Sequence, residues 1–221
     1  MPKIKKVKNI PVKPAFRIFC EGEKTEPLYI RSYINNFHSE HRGLIVVEDT
    51  KKNTPVQLVD AAVADKKSGN SQDIYWVVYD RESITKYSEE LHLKARKKAE
   101  DNGIEIAISN VCFEYWFLLH FDFTNASYDT CDELLRKSQL KKHFKDVGID
   151  NYEKGLALIF DKLKDRIPTA LINAKRLKES AHKSAAVGKN DPCQLNPYID
   201  VHELFLDMQK FVSGEESIRK K

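Results

Sequence analysis

Between residues 15 and 109, four short runs rich in β-branched and aromatic residues are separated by three stretches whose apolar residues recur at helical spacing. The runs predict strands over 15–20, 44–47, 74–80 and 104–109. The intervening helices fall over 26–37, from Thr54-Pro55 onward with Leu58, Val59, Ala62 and Val63 on one face, and over 88–101, where Asn102-Gly103 stops the third. Strands that alternate with helices build a parallel sheet, because a parallel neighbour is reached only through a crossover connection. Right-handed crossovers then bring the C-terminal ends of all four strands to one edge, where open α/β sheets bind their ligands.

Acids gather at that edge. The first run stops at Glu21-Gly22 and the third ends in Asp80-Arg81-Glu82, so carboxylates some sixty residues apart converge. The stretch 109–123, SNVCFEYWFLLHFDF, follows the fourth strand and is too apolar for a surface helix. Burying an unpaired carboxylate is costly, so its Glu114 is expected to join the cluster. His120 on the same stretch is either a phosphate-binding group or a satisfied core histidine. Lys24 either adds positive charge to a reacting phosphate or is an exposed loop lysine. Arg81 either contacts that phosphate or balances the acids.

The remaining sequence narrows the chemistry. At 221 residues, with 41% hydrophobic and 32% charged residues, the chain is sized and composed to bury a core in water. No apolar run approaches the roughly 18 residues of a membrane helix, and the N-terminus has no apolar secretion segment, so a cytoplasmic, membrane-free location is expected. Residues 1–14 form a basic arm with Lys3, Lys5, Lys6, Lys8 and Lys13, either lying along phosphates or solvated. Cys20, Cys112, Cys131 and Cys193 have no paired spacing, which argues against a disulfide framework or a zinc ribbon. His38 and His41 have no nearby Cys or further His to complete a zinc shell.

Domain organisation follows as the arm, an α/β core over 15–124, and a helical region over 125–221 packed on it. That region is expected to carry helices over 129–144, 152–163, 168–186 and 197–212 and no strand. Its basic clusters, Arg136, Lys137, Lys141, Lys142, His143 and Lys145, then Lys175, Arg176, Lys178 and Lys183, either grip a polyanion or are solvated helix faces.

The GEKT of residues 22–25 is not a phosphate-binding loop, since Glu23 and Ile18 stand where that motif requires glycine. No GxSxG, HExxH or GxGxxG occurs. Clustered carboxylates suit a hard divalent cation, Mg²⁺ or Mn²⁺, and through it phosphoryl transfer.

The combination of CEGEKTEP after a strand, an acidic DxE at a later strand end, SNVCFEYWFLLHF and a late NPYIDVHELF resembles the RloB-like family of the Toprim superfamily, over about residues 16–206. Toprim domains are Rossmann-like modules that bind Mg²⁺ through a Glu after the first strand and a DxD after the third. The resemblance implies an α/β fold with a four-stranded, mainly parallel sheet. It makes Glu21, Glu26, Asp80 and Glu82 metal ligands, with Glu82 in place of the usual Asp and Glu114 as support or general base. It further implies a nuclease acting on DNA or RNA in antiphage defence, with an ATPase encoded nearby as partner and self-association. A nonhydrolytic binding scaffold and a nucleotidyl transferase are the alternatives.

Overall fold

The computed structural model describes residues 13–52 and 54–215, and most of the basic arm lies outside them. Among the described residues five strands form one sheet. They are β1 (Phe16–Cys20), β2 (Ile45–Glu48), β3 (Ile74–Asp80), β4 (Glu105–Asn110) and β5 (Tyr198–Ile199), in the order β2-β1-β3-β4-β5. The first four are mutually parallel, as the alternating pattern predicts. β5 is the departure: it runs antiparallel to β4 through Ser109↔Ile199 and Asn110↔Tyr198. Two residues are too few to leave an alternating signature, so the segment reads as helix from sequence alone.

Helix α1 (Thr25–Phe37) lies on one face of the sheet with α4 (Glu114–Leu119), α8 (Ile167–Ser184) and α9 (Val201–Ser213). There they bury Phe16, Ile18, Trp76 and Val78. The opposite face, with Phe19, Tyr75, Val77 and Tyr79, is covered by α2 (Pro55–Ser68) and α3 (Glu89–Asp101). Both α2 and α3 start on side-chain caps, Thr54 and Ser88, which accept from the N–H groups of Gln57 and Leu91. β1 therefore hands the chain to one face and its neighbour β3 hands it to the other. A crevice opens between the C-terminal ends of two such strands, because their connections leave in opposite directions.

The helical region is more broken than its sequence predicts. The stretch 129–144 divides into α5 (Cys131–Lys137) and α6 (Leu140–Asp146), separated by the extended Ser138. Of 152–163 only α7 (Ile159–Leu163) is helical. Gly155 adopts φ +86°, and a Cβ there would stand 2.8 Å from the Cβ of Lys24, so only glycine permits this close approach of the loop to the start of α1. No described helix is long and apolar enough to cross a membrane.

Candidate metal centre

Each acid at the sheet edge is positioned by the element that carries it. Glu21 directly follows β1, and its N–H still bonds the Val78 carbonyl of β3 at 2.9 Å. Its carboxylate accepts from the Asp80 N–H at 3.4 Å and the Tyr87 hydroxyl at 3.0 Å. Asp80 closes β3 on the same side as Trp76 and Val78, which aims it at α1 and α4. It is only 6% exposed, and its Oδ1 has no hydrogen-bond partner among the described residues. Glu26, buried in the first turn of α1, lies so close to Gly22 that a Cβ at 22 would make its carboxylate shift. Glu82 takes the left-handed φ of +57°, costly for a side-chain-bearing residue, with its N–H held by the Val111 carbonyl at 3.0 Å and its carboxylate by Lys86 at 2.7 Å. Glu114 opens α4 at 1% exposure. Its Oε1 accepts from the Tyr152 hydroxyl at 2.8 Å and has the Lys154 ammonium at 4.0 Å.

All five carboxylates line one cleft of about 530 Å³, framed by Lys24, Lys86 and Lys154. Removing acids from water at close quarters favours the neutral forms of Asp80, Glu26 and Glu21. Burial first, then repulsion from Glu26, Glu114 and Glu82, holds Asp80 well above the usual carboxylate range. Burial and the charge of Glu114 raise Glu26. Burial pushes Glu21 up to about 7 against the opposing hydrogen bonds of Tyr87 and Asp80.

A carboxylate whose folded-state pKa is raised stabilises the fold while protonated, and that contribution is lost as pH climbs from its ordinary range through its folded value. For Glu21 the loss falls between about pH 4.5 and 7. Glu21→Gln should therefore raise the melting temperature of the metal-free protein at pH 8 by about 2–4 °C or more, the shift that 1 kcal/mol produces in a chain of this size, and by much less at pH 4.5. Equal shifts at both pH values, read by thermal unfolding, would exclude the buried charge as the cause.

The donor set fits a hard divalent ion. It offers carboxylate oxygens from separate elements, a buried Asp80 oxygen without a partner, and an open cleft with room for water ligands. Glu21, Glu26, Asp80 and Glu82 do not draw in to a closed cage. Among the described residues the one group of three ligand atoms within 4.8 Å of one another is Cys112, Glu114 and Cys131. Magnesium-type sites tolerate such spacing because a few carboxylates suffice and water completes the shell.

The cleft thus brings together Glu21, Glu26, Asp80, Glu82, Glu114 and Lys24, as the sequence leads one to expect. Two assignments are corrected. Arg81 follows Asp80 and points to the opposite face of the strand, where it is 4% exposed and donates to the carbonyls of Cys193 and Tyr87, both at 2.9 Å. It cannot reach a phosphate in the cleft. His120 is fully buried, with Nδ1 2.9 Å from the Trp116 carbonyl and Nε2 2.8 Å from the Tyr29 hydroxyl. A carbonyl only accepts, so Nδ1 carries the proton and Nε2 accepts from Tyr29. Burial lowers this histidine to about 4, which makes it a neutral core residue. Lys178 likewise belongs to structure, bound to Asp200 at 2.7 Å and Glu203 at 3.1 Å.

Sequence reasoning missed Lys86, Tyr87, Tyr152 and Lys154. Lys86 was open to recognition from its i,i+4 spacing to Glu82, whereas Tyr152 and Lys154 meet Glu114 across 38 and 40 residues with no local signal. A family model described as RloB-like protein matches residues 16–208. No curated protein and no solved structure matches the chain.

Proposed function

The chain belongs to the RloB-like family, and from that membership together with its acid-lined cleft we propose that it is a Mg²⁺- or Mn²⁺-dependent nuclease hydrolysing phosphodiester bonds of DNA or RNA. The observation that carries this reading is the meeting of Glu21, Glu26, Asp80, Glu82 and Glu114 in one cleft rimmed by lysines, with a buried Asp80 oxygen left without a partner. Glu21, Glu26, Asp80 and Glu82 are the residues to hold the ion. When bound, such an ion polarises the phosphoryl group and lowers the pKa of a water ligand.

The chain's own groups do the rest. Glu114, turned by the Tyr152 hydroxyl, is the acceptor for the proton of the attacking water. Lys24, Lys86 and Lys154 supply positive charge around the phosphate. A second recess lined by Arg136, Lys141 and Lys145 also carries Asp132, Asp150 and Glu153, so its charges of both signs balance. A cytoplasmic role in antiphage defence beside an ATPase partner, with self-association, completes the proposal.

Incubation with Mg²⁺ or Mn²⁺ and labelled DNA, tRNA or total RNA should yield fragments, and chelation should stop their formation. Incorporation of labelled nucleotides without fragments would reassign the cleft to nucleotidyl transfer. Binding with neither product would make the protein a scaffold.

A further inference from the structure

Beside the acidic cleft lies a pair of thiols that the nuclease reading does not use. Cys112 follows β4, and Cys131 is the first residue of α5. Their Sγ atoms stand 2.7 Å apart, and Cys131 Sγ lies 3.2 Å from Oε2 of Glu114. Cys112 is 0% and Cys131 8% exposed. Nineteen residues separate the two cysteines, so their meeting is a product of the fold and no spacing motif marks it.

We propose that Cys112, Cys131 and Glu114 form a second cation site, selective for a thiophilic divalent ion of the Zn²⁺ class. Three observations argue for it. The three ligand atoms all lie within 4.8 Å of one another, the tightest donor group among the described residues. Two thiolates and a carboxylate prefer zinc-class ions to Mg²⁺ or Mn²⁺, which favour all-oxygen shells. Glu114 is already oriented: the Tyr152 hydroxyl holds Oε1 at 2.8 Å and leaves Oε2 facing the sulfurs, the arrangement in which an outer hydrogen bond fixes a ligating carboxylate.

Glu114 also lines the cleft, so the cleft is the side from which an ion would have to reach the buried thiols. Lys154, 4.0 Å from Glu114, offsets the negative charge that remains once two thiolates and a carboxylate surround a doubly charged ion. Binding exchanges protons for metal: each ion displaces the two thiol protons to solvent and forms two metal–sulfur bonds. Zn–S bonds of about 2.3 Å in a tetrahedral shell set sulfurs about 3.7 Å apart, so the pair opens by about 1 Å as the ion enters.

The test is a Cd²⁺ titration of the reduced full-length protein, followed by ultraviolet thiolate-to-metal charge-transfer absorption. One equivalent should saturate the band. Cys112→Ser and Cys131→Ser should each lose it, while Cys193→Ser, in the core on the other face of the sheet, keeps it. No band in the wild type, or an undiminished band in both cluster variants, would overturn the proposal. Circular dichroism checks that the variants fold. X-ray absorption of the Zn²⁺-loaded wild type is independent of any variant, and two sulfur neighbours at about 2.3 Å are expected, an oxygen-only shell being contrary. Neither readout involves catalysis, so failure of the nuclease reading leaves this site standing, and an empty thiol site leaves Glu114, the one residue the two readings share, free to act as proton acceptor.

Discussion

Asp80→Ala is expected to reduce metal-dependent cleavage by more than about 10²-fold while leaving the fold intact. Changing groups that merely orient a metal ligand costs about 10–100-fold, so removal of a direct ligand should cost more. Asp80 is the acid to test first because it is the most enclosed of the proposed ligands at a strand end, with an oxygen that no described group satisfies. Its charge is opposed by burial and by Glu26, Glu114 and Glu82. The same substitution should therefore hold or raise the melting temperature of the metal-free protein near neutral pH. Lost activity with retained stability marks a residue kept for function at the expense of stability. Full cleavage by Asp80→Ala would remove the proposed metal site from the mechanism.

Trp116→Ala is expected to destabilise the protein by about 3–5 kcal/mol, the usual range for emptying a large aromatic position in a core. Against a total stability of about 5–15 kcal/mol for a typical domain, this should lower the urea midpoint steeply. Trp116 is fully buried in α4, edge-on to His120 at 4.9 Å between ring centroids and tilted against Phe205 of α9 at 5.6 Å. Its ring packs edge-on against His120, whose Nε2 in turn accepts from Tyr29 of α1. The substitution thus loosens α1, α4 and α9 together, and α4 carries Glu114. A loss below about 1 kcal/mol in equilibrium unfolding would show that this aromatic layer does not hold the helices to the sheet.

The alternation of apolar runs revealed the parallel sheet because each run is long enough, and bounded clearly enough, for its period to show. Parallel strands then oblige Glu21 and Asp80 to share an edge, so half the cleft was readable from residue order alone. Arg81 could have been placed correctly by the same logic: consecutive strand residues face opposite sides, and Asp80 and Arg81 cannot both enter one crevice. His120 misleads because a histidine among aromatics has the same local sequence whether it meets a ligand or a Tyr29 hydroxyl. The Cys112–Cys131 pair, the Tyr152 contact and β5 depend on contacts distant in sequence, for which local periodicity carries no information.

The crevice between β1 and β3 also governs when chemistry becomes available during synthesis. Glu21 is held by β3, Glu82 by the turn beyond β4, and Glu114 by Tyr152, so each of these three acids takes its bearing from a part of the chain made later. A chain emerging from the ribosome passes most of its length with dispersed carboxylates and no ion pocket. On the nuclease reading, a partly made copy is harmless to the nucleic acid around it, and harm begins only with the finished fold.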